Sequence, residues 1–308
     1  MTMGSELTVG IWTADDPGAR QALGRVFAEF DRLEAALSVW REQSDVQRLN
    51  AAAGGAAVAI GPDLVNVLEA ADEASRETGG AFDVTFGALA DVWKFDHDQD
   101  NRVPAADEIS ARLPLVDYRA VVVDRAAGTA RITRKGVRVH LGGIGKGYAV
   151  DRAAAMLRAS GFDHFILQSG GDLYAAGQRG DRPWRVGLND PRGVGGESFA
   201  VIELRDETFS TSGDYERFFI ENGVRYHHLL DPPTVEPARG CRSVTIVAAS
   251  ALAADWLSTG VFIMGPEGGM ALVERLPGVE AVIVTAGNEV RVSTGLRERL
   301  RLERSPTP

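Results

Sequence analysis

Phe218–Leu230 reads FFIENGVRYHHLL. Asn222-Gly223 sits between two alternating runs, and Asn-Gly is the strongest short hairpin signal because both turn positions need positive φ. The same grammar appears upstream. His164–Gly177, HFILQSGGDLYAAG, is strand, glycine turn, strand. Downstream, Glu280–Thr285 and Glu289–Ser293 make another hairpin. Strands that arrive as hairpins, with helices interspersed, predict an α+β fold with mixed, largely antiparallel sheets and packed helices, not a doubly wound parallel sheet.

Around these hairpins the pattern is regular. Leu7–Thr13 reads as a first strand. Leu23, Val26, Phe27, Phe30, Leu33 and Leu37 recur at helical spacing and place a helix over Ala19–Val39. SVWREQSDVQRLN reads as a turn-rich link, and Pro62–Thr78 as a helix with Pro62 in its first turn and Gly79-Gly80 after its end. Asp96–Asp107 is polar and expected to be exposed. YRAVVVD, TARITR and VRVHLG read as three short strands. Lys146–Ser160 is a helix closed by Gly161. Ser250 is the expected N-cap of a helix over Ala251–Met264. RERLRLERSPTP, at the end, reads as a frayed basic tail.

Composition narrows the function. The chain has 308 residues, 33 basic against 43 acidic, for a net charge of −10. A basic face for nucleic acid or an anionic membrane is not expected. The single cysteine, Cys241, excludes an intrachain disulfide, and no Cys/His spacing resembles a zinc site. The first residues, MTMGSELTVGIWT, lack the basic start and apolar core of a signal peptide, and no run approaches a membrane span. The expected location is cytoplasmic.

Three segments carry chemistry. LGGIGKGYAVD, Leu141–Asp151, packs four glycines around Lys146. It fails the Walker A spacing, since Gly147 follows Lys146, and it fails the dinucleotide fingerprint. Turned-in backbone N–H groups at a helix start still allow anion binding, with Lys146 adding a point charge. A closely packed strand-to-helix turn is the other reading. In ALAADWLSTG, Asp255, Ser258 and Thr259 share one helix face. One carboxylate and two hydroxyls suit Mg²⁺. A polar stripe, or hydroxyls bonded back to helix carbonyls, is the plainer reading of the spacing. In TSGDYERFFIENGVRYHHLLDP the hairpin is expected to bring Thr211-Ser212 and His227-His228 to one end of a ribbon. One histidine would face inward and could act as a base. A packing histidine is the plainer alternative. No Gly-x-Ser-x-Gly elbow is present.

In this order and spacing the segments resemble the ApbE family of FAD:protein FMN transferases. MGSELTVGIW, SVWREQSDVQRLN, GAFDVTFGALADVWKF, VHLGGIGKGYAVDRA, LQSGGDLYAAG, FSTSGDYERFF, YHHLLDP and SVTIVAASALAADWLSTG carry the resemblance from about Met3 to about Thr285. It implies a domain over residues 1–296, with two subdomains flanking an FAD site, and a tail at 297–308. It implies FAD as substrate, Mg²⁺ as cofactor, and an acceptor protein whose threonine receives FMN through a phosphoester while AMP leaves. FAD hydrolysis, or FAD binding without transfer, is the alternative.

Matched residue by residue, Asp255 and Thr259 correspond to metal ligands. Ser258 stands where some members have a further acidic ligand, and Gly143 and Gly145 lie on the loop that completes the metal shell. Met3, Trp40, Ala81, Phe82, Asp83, His140, Lys146 and Leu230 match positions lining FAD. His228 matches the histidine of the His-x-x-Asp-Pro segment and is the candidate catalytic base. The departure is His140, where the family usually has Asp; an imidazole offers a donor and an acceptor instead of a carboxylate.

Overall fold

Six helices form among the residues described by the computed structural model, 2–96 and 98–308: Asp16–Leu37 (α1), Asp45–Ala51 (α2), Pro62–Glu77 (α3), Ala106–Arg112 (α4), Gly145–Ala159 (α5) and Ala251–Arg275 (α6). α1 starts earlier than its apolar stripe because Asp16 and Pro17 suit a first turn. α3 and α5 end as expected, with Gly79 at φ 62° and Gly161 at φ 85°. α2 replaces the expected turn-rich link. The Ser44 hydroxyl accepts from Gln47 N–H at 3.1 Å, and Val46 and Leu49 are buried. Ser44-x-x-Gln47 is a capping-box spacing that the sequence displays. α6 is two helices in one run. Gly265 is non-helical at φ 77°, ψ 174° and Pro266 follows, so the first segment ends at Met264 as expected. Asp98 to Arg102, within the polar stretch, is exposed; His97 lies outside the described residues.

The chain divides into two compact units. The first comprises Met1–Arg32, Ile144–Gly213 and Gly240–Pro308. Its main sheet has seven strands whose spatial order is their chain order: Leu7–Ile11, Phe165–Ser169, Asp172–Ala176, Glu207–Gly213, Cys241–Ala248, Glu280–Thr285 and Val290–Val292. Every neighbouring pair is antiparallel. A second sheet joins Trp184–Asn189, Ser198–Leu204 and Leu300–Leu302. Leu173, Phe199, Ile202, Leu204, Phe209, Val247 and Val282 bury their side chains in one core cluster. The expected frayed tail is not found. Leu300–Leu302 pairs with Ala200–Ile202, and the Thr307 N–H donates to Asp190 Oδ2 at 3.0 Å. The alternation of Leu300 and Leu302 with arginines, read as a tail, is an edge strand.

The second unit comprises Leu33–Gly143 and Asp214–Arg239. It holds a three-stranded sheet, in the order Val58–Ala59, Thr129–Ile132, Val121–Asp124, and two ribbons. The ribbon Phe218–Glu221/Val224–His227 turns at Asn222 (φ 51°) and Gly223 (φ 77°), as Asn-Gly requires. Trp93, Phe95, Phe219 and Tyr226 stack ring on ring, with centroids 5.3 to 5.9 Å apart, and bury against Leu89, Leu230 and Val235.

Two expectations fail here. VRVHLG is not a third strand: the Asn50 amide holds Val139 N–H and C=O at 2.7 and 2.9 Å, the His140 N–H donates to the Val84 carbonyl at 2.8 Å, and Arg138 makes a single parallel bridge to Phe86. Nor do Thr211-Ser212 share a ribbon with the histidines. They lie on Glu207–Gly213 in the first unit's sheet, whereas His227 ends a ribbon strand of the second. The fold is α+β with antiparallel sheets. Among the described residues no helix is long and apolar enough to cross a membrane.

Candidate functional site

Two helices of the first unit cap one another. Asp151 on α5 accepts from the Ala251 and Leu252 N–H groups at 2.8 and 3.0 Å and from the Ser250 hydroxyl at 2.7 Å, so its charge sits at the start of α6. Asp255 on α6 returns the bond: its Oδ2 accepts from Gly147 N–H at 2.8 Å in the first turn of α5. The LGGIGKG turn is thus a packed helix start, and one of its N–H groups already meets an anion, the protein's own carboxylate.

Gly147 makes this approach possible. A Cβ there would lie 2.2 Å from the Ala251 carbonyl oxygen and 2.7 Å from Asp255 Cβ. Both are backbone-fixed, so the helices would have to separate. Gly147→Ala is expected to cost roughly 2–3 kcal/mol. That corresponds to a fall of several degrees in thermal midpoint, on the order of 5 °C or more for a chain of this size. A midpoint within a degree of wild type would show that the approach is not constrained.

A buried polar cluster surrounds Asp255. Lys146 Nζ lies 3.0 Å from Asp172 Oδ2 and 3.7 Å from Asp255 Oδ1. The two carboxylates are 1% and 3% exposed, so they meet no bulk water. Burial pushes the Asp255 carboxyl up to about 7; the like charge of Asp172 adds to the rise, and Lys146 and the Gly147 N–H oppose it. One ammonium does not offset two buried carboxylates. Asp172 Oδ2 meets the lysine charge at 3.0 Å.

Four hydroxyls complete the cluster. Ser210 donates to Asp172 Oδ1 at 2.5 Å and stands 3.3 Å from Ser258 Oγ. Ser212 Oγ is 2.8 Å from Ser258 Oγ and 3.2 Å from Thr259 Oγ1. The face carrying Asp255, Ser258 and Thr259 is therefore turned inward, not to solvent. Ser258 does bond back to its helix, at the Asp255 carbonyl, 2.9 Å away, whereas Thr259 faces Ser212. Among the described residues no group of three or more His, Cys, Asp or Glu is assembled for a metal. The donor set present is two carboxylates and neutral oxygens with excess negative charge. That chemistry fits a hard divalent cation that brings waters and phosphate oxygens of its own.

Asp172 was not among the expected site residues. Its signal was a carboxylate opening an otherwise apolar strand directly after a Gly-Gly turn, SGGDLY. Ser210 was likewise missed and Ser212 was read only as a neighbour of the histidines, because only the sheet register turns both toward α6. Met3 sits at φ 50° in a turn closed by Thr2 and Ser5, a left-handed conformation uncommon for a non-glycine residue. Gly145 opens α5.

The remaining expected residues belong to the second unit. Trp40 is 55% exposed. Phe82 and Asp83 are buried beside Ala81. The Asp83 carboxyl accepts from Thr85 N–H, the Thr85 hydroxyl and Tyr118 N–H at 2.7, 2.6 and 2.9 Å, so it organises its own segment. Leu230 lies in the aromatic core cluster, and Gly143 ends the unit before Ile144. His140 is partly buried, with its ring 5.1 Å from Phe86. Its Nδ1 accepts from the Gly142 N–H at 3.0 Å, which puts the ring proton on Nε2. Burial, against the charge of Asp96, holds its pKa down at about 4, so it is a neutral donor at pH 7.

The two adjacent histidines separate by role. His227 is 2% exposed. Its Nδ1 accepts from the Leu229 N–H at 3.3 Å and its Nε2 faces the Ala238 carbonyl at 2.8 Å, a pattern only the neutral ring satisfies. Burial lowers its pKa to about 4. A folded value below the unfolded one of about 6.5 means the unfolded chain binds the proton first. Stability from this group is present above pH 6.5 and is lost as pH falls towards 4, by roughly 2–3 kcal/mol. In denaturant titrations, His227→Gln is expected to lose less stability than wild type between pH 7 and pH 4.5. Parallel pH profiles would refute the assignment. His228 is half-buried, and its Nδ1 stands 3.3 Å from the Arg217 carbonyl. A carbonyl only accepts, so Nδ1 carries the proton and the basic lone pair is on Nε2.

Comparison with known proteins places the chain in a family. Residues 3–283 match the sequence profile of the ApbE family. The chain is 36% identical over 296 residues to the FAD:protein FMN transferase of Treponema pallidum, covering 91% of this chain and 82% of that protein. Its fold matches the crystal structure of the ApbE protein from Thermotoga maritima with a TM-score of 0.88 at 33% identity, covering 97% of each chain. The flavin transferase ApbE from Vibrio cholerae matches with a TM-score of 0.85 at 27% identity, again over 97% of each.

Proposed function

The chain belongs to the ApbE family, and on that premise we propose that it is a FAD:protein FMN transferase. It takes FMN from FAD, joins it through a phosphoester to a threonine of an acceptor protein, and releases AMP. The activities of its relatives support FAD as donor and a protein as acceptor. The observation that carries the reading is the buried Asp172–Lys146–Asp255 cluster at the first turn of α5.

Asp255 and Thr259 would hold Mg²⁺, with the carbonyl oxygens of Gly143 on the preceding turn and of Gly145 at the start of α5. Ser258, engaged with its own helix, supports them. Bound there, Mg²⁺ supplies charge stabilisation to a pyrophosphate that reacts. Lys146 places a positive charge on the pyrophosphate oxygens. Trp40, Ala81, Phe82, His140, Leu230 and Met3 would line FAD, with Trp40 stacking on a ring and His140 donating from Nε2. Asp83 holds the segment that carries Ala81 and Phe82. The threonine oxygen attacks the FMN phosphorus, the bridging P–O bond breaks, AMP carries the electron pair away, and His228 Nε2 takes the hydroxyl proton.

Mass spectrometry tests this directly. The protein is mixed with FAD, Mg²⁺ and an acceptor domain carrying a target threonine. The expected product is the acceptor heavier by FMN less water, with AMP in solution. AMP and free FMN with an unmodified acceptor would replace transfer by hydrolysis, water taking the threonine's place in the same displacement. Intact FAD would overturn the reading.

A further inference from the structure

The hydroxyls beneath α6 form a chain whose direction is set by its ends. Each serine or threonine hydroxyl has one proton. Ser258 donates its proton to the Asp255 carbonyl at 2.9 Å, because that oxygen only accepts. Ser258 Oγ must then accept from Ser212, 2.8 Å away. With its own proton committed, Ser212 can only accept from Thr259, at 3.2 Å. Ser210 does not disturb this order, since its proton goes to Asp172 Oδ1 at 2.5 Å. Ser210 and Ser212 are two apart on one strand, so both face α6, while Thr211 between them turns the other way to meet Thr245 at 2.8 Å.

We propose that Ser212 is a positioning residue for the metal site. By accepting the Thr259 proton it turns the Thr259 hydroxyl so that both oxygen lone pairs are left for a cation. Without that acceptor the hydroxyl can rotate its proton into the ligand position or bond back to a helix carbonyl. Hydrogen-bond partners of metal ligands typically change metal affinity by about 10- to 100-fold when removed. The proposal rests on the reading of Asp255 and Thr259 as Mg²⁺ ligands.

The test is calorimetric titration of Mg²⁺ into the full chain, with no turnover required. Ser212→Ala is expected to bind Mg²⁺ about tenfold or more weakly, with a thermal midpoint close to wild type. Ser212→Thr, which keeps the oxygen, is expected to restore affinity. In a Thr259→Val background the Ser212→Ala change is expected to add nothing, which a merely structural role would not produce. Should Ser212→Ala fold poorly, Ser212→Cys, a weak acceptor of the same size, is expected to show the same direction of change. Equal affinities of wild type and Ser212→Ala, or additive losses in the double variant, would overturn the role of Ser212 while leaving the Mg²⁺ site in place. A wild-type chain that takes up no Mg²⁺ would overturn the site itself.

Discussion

Asp255→Ala is expected to abolish Mg²⁺-dependent FMN transfer, with a loss of at least about 10²-fold in kcat/KM. Asp255 joins three features of the candidate site. It accepts the Gly147 N–H at 2.8 Å, it faces the Lys146 ammonium at 3.7 Å, and its helix carries Thr259 one turn later. On the proposed reading, removing the carboxyl removes a charged ligand and a helix cap together, and losing the cap costs about 1 kcal/mol. Asp255→Asn separates the two effects. Its amide oxygen can still accept from Gly147, so stability is expected to stay close to wild type while transfer is lost. Transfer measured across a Mg²⁺ series, alongside thermal midpoints, distinguishes the cases. An Asp255→Ala protein with unchanged metal-dependent transfer would remove Asp255 from the metal site.

His228→Gln is expected to lower kcat by about 10²- to 10⁴-fold, the range for loss of a general base. FAD and Mg²⁺ binding are expected to remain, since the reading gives His228 no part in holding either. On the proposed reading His228 is the base, with its Nδ1 3.3 Å from the Arg217 carbonyl and its Nε2 as the proton acceptor. His227 has both ring nitrogens engaged with the backbone and is held neutral by burial. Single-turnover transfer with FAD saturating reads the effect. A rate within tenfold of wild type would move the base elsewhere, and His227→Gln, expected to act on acid stability, is the control.

Much of the molecule was legible in the chain. Asn222-Gly223 determined a hairpin because few other pairs accept two positive φ values in sequence. The stop of the first α6 segment at Met264 followed from Gly265-Pro266, one residue free to leave the helix and one unable to continue it. Asp255, Ser258 and Thr259 share a face by helical arithmetic alone. These are local facts, set within a few residues of backbone, and the sequence determined them unaided.

The tertiary structure decided what local rules leave open. VRVHLG has strand composition, yet Asn50 holds it, and Asn50 comes from a distant turn of α2. Leu300–Leu302 looked like a tail until Ser198–Leu204 offered it an edge. Whether the Asp255 face met water or protein depended on Gly147, whose missing Cβ lets α5 approach α6. Asp172, Ser210 and Ser212 became visible only when the sheet register set them under Lys146 and α6. Periodicity places a side chain on a face of its own element. Which partner that face meets is settled by packing between elements far apart in sequence, and in this protein that packing assembles the site.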